Sequence, residues 1–179
     1  MSPLKILVGD DDHRLGNFDA ACVLVEYGDY ECPHCRAALP LVHRIEHHFG
    51  KRVCFVFRNF PMTQMHFNAE AAAETAEFAA SQGKFWEMHD LLFANQDRLG
   101  FDLYLELAAK LGLDPEALRE ALNRGTYQKR VRADFAGGVR SGVNGTPTFF
   151  INNDRHNGPR DFEPLVAAID AAIAAKGQE

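Results

Sequence analysis

Residues 22–27, Cys-Val-Leu-Val-Glu-Tyr, form a run that is apolar almost throughout and carries the β-branched Val23 and Val25. A run of this kind fits a central strand buried on both faces. It is followed by Cys32-Pro33-His34-Cys35 and then by a helical stripe, Leu41, Val42, Ile45 and Phe49, that stops at Gly50. Pro33 suits the first turn of that helix, where its missing N–H has no intrahelical acceptor to lose. Val53–Phe57 is a second apolar strand, closed by Arg58-Asn59-Phe60-Pro61. The opening is therefore strand, helix, parallel strand.

The chain then turns helical. Asn68–Ala80 is dominated by alanine and glutamate, both strong helix formers, and Gly83 interrupts it. Further helices are expected over 85–93, 102–111, 115–124 and 127–139, the third opened by the cap signal Asp114-Pro115-Glu116. Gly137-Gly138, Gly142 and Gly145 mark an exit into a loop. Thr148–Ile151 reads as a third strand, Asn152-Asn153-Asp154 as its turn and 155–158 as a short return. Asp161 is placed to cap a last helix with the face Leu165, Ile169, Ile173. At the N-terminus, Leu4–Val8 reads as an edge strand and 9–21 as loop. The partition is 1–63, a first βαβ half with the cysteine pair; 64–141, a helical insertion; and 142–179, a second ββα half, all in one compact unit.

Composition removes several classes. At 179 residues the chain buries a core without needing a disulfide or metal staple. A net charge of -6 with no basic cluster lacks the footprint of a nucleic-acid binder. No apolar run reaches membrane-span length. No secretory leader is visible, which sets the expectation of a soluble cytoplasmic protein, periplasmic only if the chain is a processed form.

The chemistry concentrates at Cys32-Pro33-His34-Cys35. Two cysteines at this spacing on a helix start carry thiols close enough to bridge. Cys32 sits where unpaired N–H groups and the helix dipole favour an anion, and the thiolate is the attacking species in disulfide exchange. His34 adds charge or a hydrogen bond at the same place, and Cys35 is the less exposed resolving thiol. Zinc is disfavoured because Cys22 and Cys54 fall inside buried strands and form no second pair. His43 and His47 share a helix face opposite the apolar stripe and read as solvated; the aspartate run 10–12 reads as loop. No metal and no cofactor are expected. Glu26 is a carboxylate in a central strand, costly unless paired, protonated or at a solvated end.

Glu26, Cys32-Pro33-His34-Cys35 and Val143-Asn144-Gly145-Thr146-Pro147-Thr148-Phe149 together resemble the DsbA-like branch of the thioredoxin superfamily. The resemblance extends through Arg58-Asn59-Phe60-Pro61 and Phe85-Trp86-Glu87-Met88-His89, from about Gly16 to Ile173. It is nearest to the soluble group typified by the thioredoxin-like domain that some bacteria fuse behind a sodium/proton antiporter. It implies an α/β thioredoxin-like fold with an inserted helical domain, which the element order supports independently. It also implies a cis Pro147 that leaves Thr146 to pair with an extended substrate, and a proton-shuttling Glu26 beneath Cys35, with Arg58 as a candidate charge partner. Where relatives carry two histidines after the second strand, only His66 matches, and His66 reads as a cap or packing residue. Phe60, Met62, Met65 and Phe67 are candidates for an apolar substrate groove or for core.

The expected activity is thiol–disulfide exchange with protein or peptide thiols, with recycling by glutathione or another redox protein. Nucleic acid and membrane are not expected partners. The rivals are a glutathione-dependent transferase or isomerase on the same scaffold, which has no need of Cys35, and a non-enzymatic redox-sensing or partner-binding domain.

Overall fold

The computed structural model describes residues 3–177. In chain order the elements are β1 (His13–Leu15), β2 (Cys22–Gly28), α1 (Pro33–Phe49), β3 (Val53–Asn59), α2 (Ala69–Ala80) and α3 (Phe85–Ala94). They continue with α4 (Phe101–Lys110), α5 (Pro115–Arg124), α6 (Gln128–Arg140), β4 (Thr148–Ile151), β5 (Asp154–Arg155) and α7 (Phe162–Lys176). Short 3-10 turns occupy Gly50–Arg52 and Gln96–Arg98. No helix of the described residues is long and apolar enough to cross a membrane.

The described residues fall into two compact units that interleave along the chain. A sheet unit gathers 3–28, 37–58 and 137–177, and a helical unit gathers 29–36 and 59–136. The sequence partition at 63/64 and 141/142 follows chain order; in space, residues 29–36, with both cysteines of the pair, group with the helices.

The sheet has the order β1-β3-β2-β4-β5. β1 runs antiparallel to β3, with His13 opposite Phe57, and β2 runs antiparallel to β4, with Leu24 opposite Ile151 and Tyr27 opposite Thr148. Every residue of β3 is buried, and so is all of β2 except half-buried Val23, which explains the continuous apolar runs. Gly28 lies against the Phe57 ring, where a Cβ would come within 2.4 Å of a ring carbon. α7 packs on β2 and β4.

Two local expectations are corrected in this unit, the strand at 4–8 and the Asp161 cap. Leu4–Val8 is not a strand. Leu4 is buried and its N–H donates to the Asn153 carbonyl, while the carbonyls of Ile6 and Leu7 accept from the Arg58 guanidinium. The strand forms instead at His13–Leu15, where β3 offers an edge. α6 passes through Gly137-Gly138, as its expected extent of 127–139 requires. It runs on to Arg140 and turns at Gly142, which has a φ of 80°. A Cβ at Gly137 would lie 3.3 Å from Ile6 Cγ1, so glycine here serves close packing inside a helix. Asp161 occupies the N-cap position of α7, but its side chain makes no cap hydrogen bond.

Arg58 is almost fully buried and ties the N-terminal segment to β3. Nε donates to Asp12 Oδ1 at 2.7 Å, Nη2 to Asp12 Oδ2 at 2.8 Å and Nη1 to the Tyr27 hydroxyl at 2.9 Å. Burial opposes the charged guanidinium, but the Asp12 hydrogen bonds and charge outweigh it and hold its pKa above the ordinary value. The charge partner of Arg58 is therefore Asp12, from the run read as a solvated loop, and not Glu26. A planar guanidinium and a carboxylate can form two parallel bonds, which this geometry does.

In the helical unit, α2 packs against α3, α4 and α5, its buried alanines allowing close approach. α5 begins as expected: Asp114 Oδ1 accepts from the Glu116 and Ala117 amides, Pro115 follows, and Gly125 closes the helix with a φ of 61°.

Candidate active site

The cysteine pair stands at the start of α1, with Cys32 immediately before Pro33. The Cys32 carbonyl accepts the Cys35 amide at 3.0 Å and the Arg36 amide at 3.2 Å, which makes Cys32 the N-cap residue. Its side chain thus occupies the place where N-cap oxygens ordinarily meet the amides of the first turn. Cys32 and Cys35 are 5% and 1% exposed. Pro33 and His34, between them, face solvent.

Residues 29–32 are held by side chains of the helical unit. The Gln96 amide, in the turn after α3, donates to the Tyr30 carbonyl at 2.7 Å and to the Cys32 carbonyl at 3.0 Å. The Tyr30 hydroxyl lies 3.1 Å from His89 Nδ1, and its ring packs on Phe93 and edge-on to His89. Glu31 reaches the start of α2, where its carboxylate accepts the Asn68 backbone N–H at 2.6 Å and side-chain amide at 3.1 Å. A carboxylate at a helix N-terminus is favoured by the orphan amides and the dipole there.

Asp29 is the most constrained of the four. Its carboxylate accepts the Glu31 amide at 2.7 Å and the Met62 amide at 2.8 Å, and pairs with His66 Nδ1 at 2.8 Å. Its carbonyl accepts the Cys32 amide at 3.1 Å, and its own amide donates to Cys35 Sγ at 3.4 Å. A buried carboxylate with three donors is satisfied, and its position is over-determined. The arrangement can hold a thiolate at a helix start with a second thiol one turn on, which is what disulfide exchange requires.

A Thioredoxin family profile matches residues 9–171. The chain belongs to the thioredoxin family. This thioredoxin-family chain is 44% identical over 166 residues to a sodium/proton antiporter NhaA 3 of Salinispora tropica, covering 93% of this chain and 25% of that protein. It is 37% identical over 161 residues to a sodium/proton antiporter NhaA of Herminiimonas arsenicoxydans. The chain thus spans about a quarter of the length of these curated relatives. Among solved structures it is similar to oxidised BdbD from Bacillus subtilis, with a TM-score of 0.84 and 25% identity over 91% of this chain and 93% of that one. A thioredoxin-like oxidoreductase from Silicibacter pomeroyi gives a TM-score of 0.81 and 27% identity, covering 92% and 93% of the two chains. The family chain has a DsbA-like thiol–disulfide oxidoreductase fold, an α/β thioredoxin-like fold with an inserted helical subdomain.

The sequence-derived site residues of this thioredoxin-family chain separate between the two units. Cys32, Pro33, His34 and Cys35 are in the helical unit; Glu26, Thr146 and Pro147 are in the sheet unit. Glu26 is 4% exposed, which removes the reading of a solvated strand end. The Thr146–Pro147 peptide bond is cis, and the Pro147 carbonyl accepts from Arg160 Nη1 at 2.7 Å. The four groove candidates do not behave alike. Phe60 is core, buried and stacked on Phe135 with ring centroids 4.4 Å apart. Met62 is half-buried, whereas Met65 and Phe67 are exposed, Phe67 at 92%.

The sequence alone gives Asp29, Glu31, Gln96 and His89 no role in the site and reads His66 as a cap or packing residue. Asp29 and Glu31 flank the cysteine motif and carry a signal, since acids directly before a helix start invite a backbone role. Gln96 and His89 carry none, because their partners lie 64 and 59 residues away.

Proposed function

We propose that this chain catalyses thiol–disulfide exchange with protein or peptide thiols through Cys32 and Cys35. The observation that carries the reading is the N-cap placement of Cys32 with Cys35 one turn into the same helix, on a loop held rigid by Asp29, Tyr30, Glu31 and Gln96. In the oxidising direction a substrate thiolate attacks Cys32 Sγ, the Cys32–Cys35 bond breaks, and Cys35 leaves as the thiolate and takes a proton. A second substrate thiolate then attacks its own chain's sulfur in the mixed disulfide and expels Cys32. Two electrons pass from the substrate dithiol to the protein, and a disulfide is left in the substrate. The reverse sequence reduces a substrate disulfide.

Recycling is assigned to glutathione or another redox protein, and the roles that the resemblance implies for Glu26, Thr146 and Pro147 belong to the same proposal. Cys32→Ser is expected to lower insulin-disulfide reduction and dithiol oxidation by on the order of 10³, while Cys35→Ser accumulates mixed disulfides. Trapping through Cys35 in Cys32→Ser would reverse the roles. A single stoichiometric exchange without turnover would favour a redox-sensing domain, and activity retained in Cys35→Ser with glutathione would favour a one-cysteine transferase. The reduction potential against glutathione, measured together with cell fractionation, fixes the working direction.

A further inference from the structure

Asp29 connects three parts of the redox site at once: its carboxylate to His66, its carbonyl to the Cys32 amide and its amide to Cys35 Sγ. Because two backbone amides also hold that carboxylate, His66 is anchored relative to the cysteine turn and does not sample solvent freely. The charged groups acting on the imidazole are Asp29, Cys32 and Glu31, all from the turn that enters α1. Its own segment, 60–68, holds no other charged residue. Burial alone would disfavour the imidazolium. The Asp29 hydrogen bond and charge, followed by Cys32 and Glu31, overcome this and raise the His66 pKa above its ordinary value.

We propose that His66 is a positioning residue for the exchange reaction: an imidazolium anchored on Asp29 that stabilises the Cys32 thiolate and takes up a proton when the Cys32–Cys35 disulfide is reduced. The inference rests on the reading of Cys32 as the attacking thiol. The step balances with a dithiol as reductant. The dithiol loses two electrons and two protons and closes to a disulfide, while Cys32–Cys35 opens. Cys35 takes one proton, His66 takes the other, and Cys32 remains as thiolate. Coupling between two titrating sites is reciprocal. A thiolate that gains from the imidazolium must therefore raise the imidazole pKa by the same free energy, and formation of the disulfide must lower it.

The test is an NMR titration of the His66 ring in the reduced protein, the oxidised protein and reduced Cys32→Ser, with exchange activity measured alongside. The His66 pKa is expected to be highest in the reduced wild type and to fall in the other two. In His66→Gln, which keeps a neutral donor for Asp29, the midpoint of Cys32 alkylation against pH is expected to move up by about half a pH unit. His66→Lys, which restores a cation, should bring it back. An identical His66 pKa in all three forms overturns the proposal and leaves the Asp29–His66 pair structural. The oxidised-versus-reduced comparison needs no substitution and decides the matter if His66→Gln fails to fold. If Cys32→Ser loses exchange while His66 titrates unchanged, the coupling alone falls. If Cys32→Ser retains exchange, the reading of Cys32 falls and the coupling with it.

Discussion

Cys22 and Cys54 lie in strands of the sheet unit, and Cys32 and Cys35 lie in the cysteine turn of the helical unit. All four are buried, the most exposed at only 5%. Burial therefore does not distinguish an inert thiol from a redox thiol in this protein. The difference is in the backbone around each sulfur. Burial pushes the Cys22 thiol up to about 11, a shift that the Asn152 hydrogen bond and the Lys176 charge only partly offset. Cys54 is likewise raised by burial. The other two sit where a helix begins, with the amide of Asp29 aimed at Cys35 and the imidazole of His66 held nearby. A strand uses its amides in the ladder, whereas a helix start has amides left over.

The same contrast separates two largely buried ion pairs among the described residues. Arg58–Asp12 in the sheet unit is a closed, doubly bonded pair whose remaining donors go to Tyr27 and to backbone carbonyls. Asp29–His66 in the helical unit has an imidazole as one member, whose pKa the Asp29 hydrogen bond and charge hold above its ordinary value against the effect of burial. One pair fixes a chain segment, and the other joins an imidazole to the cysteine turn.

The sharpest way to break this comparison is native alkylation. With a pKa of about 11, Cys22 is thiolate in only about one molecule in 10⁴ at pH 7. Mass spectrometry of the reduced protein should therefore show Cys22 and Cys54 unlabelled while Cys32 reacts, with Cys22 labelling rising as pH approaches 11. Fast labelling of either strand cysteine at neutral pH would end the contrast.

Next in size is Asp12→Ala. Removing one member of a buried pair leaves the Arg58 guanidinium without its carboxylate, and the loss in unfolding free energy should be about 3 kcal/mol. Chemical denaturation reads it, with redox turnover of the folded fraction preserved. A loss near zero would mean that water or the carbonyls of Ile6 and Leu7 suffice for Arg58.

Gln96→Ala removes the shared donor from the Tyr30 and Cys32 carbonyls. A stability loss of about 1–2 kcal/mol is expected, together with slower exchange, because the cysteine turn loses a tether. Unchanged exchange kinetics would show that Asp29, Tyr30 and Glu31 position the turn without it.

The smallest effect is the pH dependence of the His66 pair. A histidine whose folded pKa is raised contributes stability that is fully present below its unfolded value, about 6.5, and lost as pH rises through the folded pKa. The gap in melting temperature between wild type and His66→Gln should be widest below about pH 6.5 and shrink as pH rises through the raised folded pKa. A pH-independent gap would assign His66 a packing role only.

What the amino-acid sequence determined by itself is local. The apolar run 22–27, the Pro33 helix start, the Asp114-Pro115 cap and the cysteine spacing each depend on residues within one turn or strand, so their signals survive without knowledge of the partner. The resemblance added the cis bond before Pro147, which the structure contains. What only the tertiary structure decided are the long-range pairs. Arg58 with Asp12, Asp29 with His66, and Gln96 with the cysteine turn join residues 46, 37 and 64 positions apart. Polar partners at such distances leave no periodicity, because a buried charge constrains only the one group that meets it and not the residues beside it. The same reason placed Phe60 in the core and left Phe67 exposed. At each of these positions the opposing surface, absent from the local sequence, chose between two states that propensity leaves nearly equal.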